Sequence, residues 1–326
     1  MHGVDRLNPP SVYITEPLPM VEEMVKLLED AGIEVEVSEV FHEYVPEDRI
    51  MEVDGIVVAD SRITPESVEK ARRLRVVQKF GVGVDTIPVE VCRRRGVYVC
   101  NIPGINSLDV AEFTLAAILS ILHRIRERDL MAREARWDDR PKVLSERLTG
   151  KTVGIIGFGR IGRQVARLLK PFKTRVLVYD PYVNVSLVEE YGAEKVEDLT
   201  QLLKGSDIVT LHVPLTDETN RMIGRRELKL MKPDAILINT SRGAVVDEEA
   251  LYDALKTGRI RAAHIDVWTT EPVPENNPIL RLENAQLSLH QASWSIEFFK
   301  EAARFCAENI LRVLRGLKPL NVVWEK

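Results

Sequence analysis

At 326 residues the chain is long enough for two domains of ordinary size, each able to bury its own core. Its composition, 45% hydrophobic and 29% charged, is that of a soluble globular protein. A net charge of −5 gives no electrostatic reason to bind nucleic acid or an acidic membrane surface. Cys92, Cys100 and Cys306 lie far apart without CxxC spacing, which argues against a disulfide framework and against a bound metal. The opening MHGVDRLNPP carries no charged-then-apolar signal pattern. Residues 110–122, the longest apolar run, are interrupted by Glu112 and too short to span a bilayer. A cytoplasmic protein is expected. The basic runs 93–95 and 225–226 read as solvated faces.

In chain order, residues 12–14 read as a short strand. Val21, Met24, Val25 and Leu28 then share one helical face, with Gly32 as the stop. Residues 33–37, 55–59, 75–80 and 97–100 read as further strands, and Thr64-Pro65 opens a helix expected to run through Leu74. A small α/β unit with a parallel sheet follows from this alternation. One long helix is expected over residues 109–132, its first half apolar and its second half rich in arginine. A polar connection, 137–145, leads to strands at 153–156, 176–180, 207–213, 235–239, 262–267 and 286–289. The last helix, 297–314, is expected to fold back on the N-terminal unit.

The densest signal is VGIIGFGRIG at 153–162, an apolar strand entering Gly157, Gly159 and Gly162 in GxGxxG spacing. The first glycine permits a tight turn, the second lets backbone approach a pyrophosphate, and the third lets helix pack on sheet. Asp180 ends the next strand, 18 residues after Gly162. A carboxylate there accepts hydrogen bonds from ribose hydroxyls and repels a 2′-phosphate. Tyr179, Pro181 and Tyr182 flank it, with no cation to receive such a phosphate. NAD is therefore expected rather than NADP.

Three polar residues follow apolar strands of this second sheet: Arg242 in INTSRGAVVD, Glu271 in DVWTTEP and His290 in LSLHQAS. Strand carboxyl ends line the ligand crevice of such sheets. Histidine can exchange a proton near neutral pH, a carboxylate partner raises its pKa, and an arginine fork matches a substrate carboxylate. The trio points to interconversion of a 2-hydroxy acid and a 2-oxo acid. The alternatives are a surface ion pair for Arg242, a loop or capping acid for Glu271 and a buried core histidine for His290. His2, His42 and His123 read as structural, and His212 and His264 as core or cofactor-flanking residues within apolar strands.

LTGKTVGIIGFGRIG, LHVPLTDETNRMIG, LINTSRGAVVDEEALYDAL, DVWTTEP and NPILRLENAQLSLH together resemble the D-isomer-specific 2-hydroxyacid dehydrogenase family. The resemblance runs from about Asp54 to Val323 and extends to the phosphoglycerate dehydrogenase and glyoxylate/hydroxypyruvate reductase branches. It implies an enzyme with Arg242, Glu271 and His290 as the catalytic trio, His290 giving the proton during reduction. It also implies NAD contacts at Gly157, Gly159, Arg160, Ile161, Gly162, Asp180, Val213, Pro214, Thr240, Ser241 and Asp266. Gly81, Val82 and Gly83 resemble the loop whose N–H groups hold the substrate carboxylate. Lys79 stands where many phosphoglycerate-type relatives have arginine, and residues 58–60 lack the arginine expected for a phosphate, leaving Arg62 and Lys79 as the nearby cations. Trp294 either shapes the substrate pocket or packs the last helix. The competing reading is a dinucleotide-sensing co-repressor of the same fold, and Glu271 argues against a formate dehydrogenase.

The expected architecture is α/β with two doubly wound parallel sheets, an NAD-binding Rossmann domain (103–291) inserted in a flavodoxin-like substrate domain (1–102 with 292–326). A homodimer is expected, because the apolar first half of the 109–132 helix is hard for a monomer to cover.

Overall fold

The computed structural model describes residues 9–324; His2 lies outside the described residues. The chain divides into two compact units, one of residues up to Asn106 with those from Trp294 onward, the other Ser107–Ser293.

In the first unit the elements are β1 (Ser11–Ile14), α1 (Val21–Glu29), β2 (Glu34–Val37), α2 (Glu47–Glu52), β3 (Gly55–Val58), α3 (Pro65–Lys70), β4 (Val76–Lys79), α4 (Val89–Arg94) and β5 (Tyr98–Cys100). The strands are parallel in the order β2-β1-β3-β4-β5, the flavodoxin-like order, which switches direction between β1 and β3. The runs GIVV and VVQK are buried along their whole length because helices cover both faces. One face carries Met24 and Leu28 of α1 together with Phe298, Phe299, Ala302, Cys306 and Ile310 of the last helix. Ile50, Val68 and Cys92 of the short helices cover the other. The helix expected to reach Leu74 stops at Lys70, because Ala71 swings to an extended ψ of 121° and the chain turns toward β4. The helices at 47–52 and 89–94 had no sequence signal: six residues each are too few for a readable period.

The second unit starts with α5 (Ser107–Leu122) and α6 (Ile125–Arg133), then β6 (Thr152–Ile156), α7 (Arg160–Leu169), β7 (Arg175–Tyr179), α8 (Val185–Glu190) and β8 (Glu194–Lys195). There follow α9 (Leu199–Gly205), β9 (Ile208–Leu211), α10 (Arg225–Leu230), β10 (Ile236–Asn239), α11 (Glu248–Lys256), β11 (Ala262–Ile265) and β12 (Ala285–Leu287). α12 (Ile296–Leu314) returns to the first unit, capped by Ser295, whose hydroxyl accepts from the Phe298 N–H at 2.9 Å. The seven parallel strands run β8-β7-β6-β9-β10-β11-β12, the doubly wound Rossmann order, with its switch point between β6 and β9.

The single long helix expected over 109–132 is two. Arg124 adopts a left-handed φ of 51° and separates α5 from α6. The break falls where burial ends: α5 packs Ala111, Ala117, Ile118, Ile121 and Leu122 into the sheet's core, whereas α6 buries only Met131. Much of the apolar half of the expected helix is therefore covered within its own unit, while Leu108 at the start of α5 stays half exposed. Further exposed apolar residues follow at Ile125, Leu130, Trp137 and Leu144. No helix among the described residues is long and apolar enough to cross a membrane.

Candidate active site

The glycine turn between β6 and α7 is built by steric necessity. Gly157 has φ 90°, and a Cβ on it would stand 2.7 Å from the His212 carbonyl oxygen. A Cβ on Gly162 would strike the Gly157 carbonyl, so only glycine lets α7 lie this close to β6. At Gly159 a Cβ would meet nothing within 4 Å: the turn is open on that side. Gly159 caps the ten-residue α7 without a side-chain hydrogen bond, so the first-turn N–H groups of Arg160 and Ile161 face the open side with the positive end of the helix dipole. Asp180 ties the end of β7 to the turn, accepting from the Phe158 N–H at 2.7 Å and the Tyr182 N–H at 2.9 Å. A turn clear of side chains, a helix N-terminus and a fixed carboxylate suit the pyrophosphate and ribose of a dinucleotide.

Past the switch point, the loops after β10, β11 and β12 hold the polar trio. Asn239 shapes the first loop: its side-chain oxygen accepts from the Ser241 N–H at 3.1 Å and hydroxyl at 2.9 Å, and its amide donates to the Arg242 carbonyl at 3.0 Å. Thr240 and Ser241 are buried, and the Thr240 hydroxyl lies 3.3 Å from that of Thr114 on α5. Gly243 is the contact point with the next loop, where any side chain would collide with the Trp268 backbone. Backbone packing thus brings the Arg242 loop against the Glu271 loop. Glu271 bridges further: one oxygen accepts from the Trp268 N–H at 2.9 Å and the other lies 2.8 Å from His290 Nδ1. Burial would raise the Glu271 carboxyl. The hydrogen bond and charge of His290, the Trp268 N–H and the nearby Arg242 outweigh it and hold the group below its ordinary value.

His290 sits at a left-handed φ of 54°, a conformation non-glycine residues rarely adopt. Its backbone N–H donates to the Asp266 carbonyl at 2.6 Å. Asp266, fully buried after β11, accepts through its carboxylate from the N–H groups of Gln291 at 2.8 Å and Ala292 at 3.0 Å. His264, two residues earlier, is buried with its Nε2 3.1 Å from the Ser288 hydroxyl, and burial lowers its pKa to about 4. His212 lies at the end of β9 beside Val213 and Pro214; burial of its ring lowers its pKa to about 3. Sequence reading passed over Asn239 and Ser288. Their signal was their place beside Arg242 and His290 in strand-end loops.

In the first unit, Lys79 ends β4 with its ammonium donating to the Ala59 carbonyl at the end of β3, and its stem lies under Gly81. The turn at Gly81, Val82 and Gly83 is held from behind: Ile102 N–H donates to the Gly81 carbonyl at 3.0 Å and the Asn101 amide to the Val82 carbonyl at 2.7 Å. A further support reaches Asn101 from Asn321, which also contacts Asn309, itself bonded to buried Gln78. Asp60 and Arg62 are exposed, and the N–H groups of Ala59, Asp60 and Ser61 are taken up by the buried carboxylate of Glu16. Trp294 is half exposed and packs edge-on against Phe299 at 5.4 Å.

The fold and this site define a dinucleotide-binding Rossmann protein with an arginine, a glutamate and a histidine gathered at its strand ends. Residues 115–292 match the family model described as D-isomer specific 2-hydroxyacid dehydrogenase, NAD binding domain. The chain is 41% identical over 313 residues to a D-3-phosphoglycerate dehydrogenase of Methanocaldococcus jannaschii, covering 96% of this chain but 59% of that protein. It is 42% identical over 280 residues to a glyoxylate reductase of Korarchaeum cryptofilum, covering 85% of this chain and 84% of that one. A solved structure, D-lactate dehydrogenase from Aquifex aeolicus complexed with NAD and lactic acid, superposes with a TM-score of 0.85 at 29% identity, over 94% of this chain and 96% of that one. The chain belongs to the D-isomer-specific 2-hydroxyacid dehydrogenase family. The class of reaction follows from that membership: oxidoreduction of a 2-hydroxyacid with a nicotinamide dinucleotide.

Proposed function

We propose that the chain catalyses reversible hydride transfer between NADH and a small 2-oxo acid of the glyoxylate or hydroxypyruvate kind. The observation that carries this reading is the 2.8 Å contact of His290 Nδ1 with the Glu271 carboxylate, beside Arg242. A carboxylate only accepts, so Nδ1 keeps its hydrogen and Nε2 is the position that exchanges a proton with the substrate oxygen. The bound dinucleotide supplies the hydride. Arg242 pairs with the substrate carboxylate and polarises the adjacent carbonyl. Glu271 orients the ring and stabilises its charged form.

Gly157, Gly159, Arg160, Ile161, Gly162, Asp180, Val213, Pro214, Thr240, Ser241 and Asp266 are the proposed cofactor contacts. Asp180 favours NAD over NADP through its charge. Lys79, Gly81, Val82 and Gly83 are the proposed substrate contacts. Lys79 is already turned to a backbone carbonyl, and Glu16 fills the N–H groups after β3. Both features favour a small uncharged substrate side chain over a phosphorylated one. The three buried, free thiols fit a reducing cytoplasm. A homodimer is supported by the exposed apolar residues of α6 and the segment after it, Leu130, Trp137 and Leu144 among them. Monomeric light scattering at working concentration would remove that part of the proposal.

A steady-state screen of 2-oxo acids with NADH tests the activity. Turnover of glyoxylate or hydroxypyruvate is expected, with weaker turnover of 3-phosphohydroxypyruvate. NADH binding without turnover of any 2-oxo acid would favour the dinucleotide-sensing reading instead.

A further inference from the structure

Beside the His290 loop lies a polar chain with two buried ends, His264 and Asp266, that the proton-transfer reading does not use. Ser288 Oγ stands 2.6 Å from Asp266 Oδ1 and 3.1 Å from His264 Nε2. The three residues come from two adjacent parallel strands and the loops after them, with His264 paired to Gln286 across the β11–β12 ladder. Asp266 is fully buried and His264 is 6% exposed, so water screens neither. The opposite side of the His264 ring meets Phe113 of α5 edge-on, with centroids 5.2 Å apart. Ser288 is pinned on its other atoms: its N–H donates to the Ile265 carbonyl at 3.0 Å, and its carbonyl accepts from the Trp268 indole at 3.0 Å.

Donor and acceptor bookkeeping orders the protons. A carboxylate can only accept, so the single Ser288 O–H points to Asp266. The hydroxyl oxygen must then accept from His264, which places the imidazole hydrogen on Nε2. Nδ1 is left as a buried lone pair, and among the described residues it has no hydrogen-bond partner. An unpaired buried acceptor costs stability. Hydrophobic packing alone would not call for a histidine here.

The consequence reaches His290. Asp266 holds three neighbours of that side chain through backbone groups: its carbonyl takes the His290 N–H, and its carboxylate takes those of Gln291 and Ala292. These bonds keep His290 at its left-handed φ, from which its ring meets Glu271. If the Asp266 carboxylate rotated, the loop would lose two of its anchors. Ser288 blocks that rotation, and His264 fixes Ser288.

We propose that His264 and Ser288 are positioning residues that lock the Asp266 carboxylate, and through it the backbone conformation of His290. The inference rests on the reading of His290 as the proton carrier. His290→Ala therefore accompanies the test as a control, and unchanged turnover in that variant would overturn the reading itself. Ser288→Ala and His264→Leu should lower kcat by roughly ten- to hundredfold, the scale of a small misplacement of a reacting group, with KM for the oxo acid within about twofold. Ser288→Thr keeps the hydroxyl and His264→Gln keeps a donor near the Nε2 position; both should retain kcat within about threefold of the parent. Nitrogen-15 spectra of the imidazoles in the whole protein supply a readout that does not depend on variants folding. His264 should be a single neutral Nε2–H tautomer near neutral pH. A wild-type rate in Ser288→Ala, an equal loss in Ser288→Thr, or an Nδ1–H tautomer for His264 would each overturn the proposal.

Discussion

His264 offers a quantitative test of how this interior treats charge. The residue is 6% exposed, and burial drops its pKa from 6.5 to about 4, with the Asp266 charge opposing only part of the shift. A histidine held neutral in the native state contributes stability that is fully present above its unfolded pKa. That stability is lost as pH falls below 6.5 toward the native value, because the unfolded chain takes up the proton first. Near pH 4.5, about two units below the unfolded pKa, the loss is on the order of 2–3 kcal/mol at roughly 1.36 kcal/mol per unit. Against a total stability of roughly 5–15 kcal/mol this is large enough to measure. The perturbation is His264→Gln, which keeps a donor and removes the titration. Urea unfolding of parent and variant, followed from neutral pH to about pH 4.5, yields the difference curve, in which carboxylates and His212 common to both cancel. The parent should lose on the order of 2–3 kcal/mol more than the variant across that range. Parallel curves would show that His264 titrates normally and that its burial does not control its charge.

His290→Ala should reduce turnover by roughly 10²–10⁴-fold while NADH still binds, read by stopped-flow kinetics and fluorescence titration. Glu271→Gln should move the upper pH limb of the reduction rate toward lower pH. The ionised Glu271, itself held below its ordinary value, favours the protonated His290 that reduction requires; an unmoved limb would make Glu271 structural. Asp180→Ala should weaken NADH binding and narrow the preference over NADPH, measured as the ratio of the two dissociation constants. Gly243→Ala should lower both the melting temperature and kcat, because the added methyl meets the Trp268 backbone and pushes the Arg242 loop from the Glu271 loop; a variant with normal kcat and stability would refute that packing.

Much of this protein was legible in one dimension because the relevant physics is local. Gly157, Gly159 and Gly162 are needed within a single turn, and Asp180 marks the end of the following strand, so spacing together with the flanking strand and helix pattern pointed to a dinucleotide site. Apolar runs buried on both faces announced parallel sheets, and polar residues just beyond them announced Arg242, Glu271 and His290. Other features depend on what arrives from elsewhere in the chain. The split of α5 from α6 at Arg124 is decided by where the sheet's core ends, which the local pattern does not record. Six-residue helices such as α2 and α4 hold by packing Ile50 and Cys92 rather than by their own periodicity. The left-handed His290, the closeness of Gly243 to Trp268 and the His264–Ser288–Asp266 chain all join adjacent strands tens of residues apart. Which chemical groups stand at the strand ends could be read residue by residue along the chain. Tertiary structure decided their orientation and protonation, because hydrogen-bond partners and burial are set by neighbours brought together only when the sheet forms.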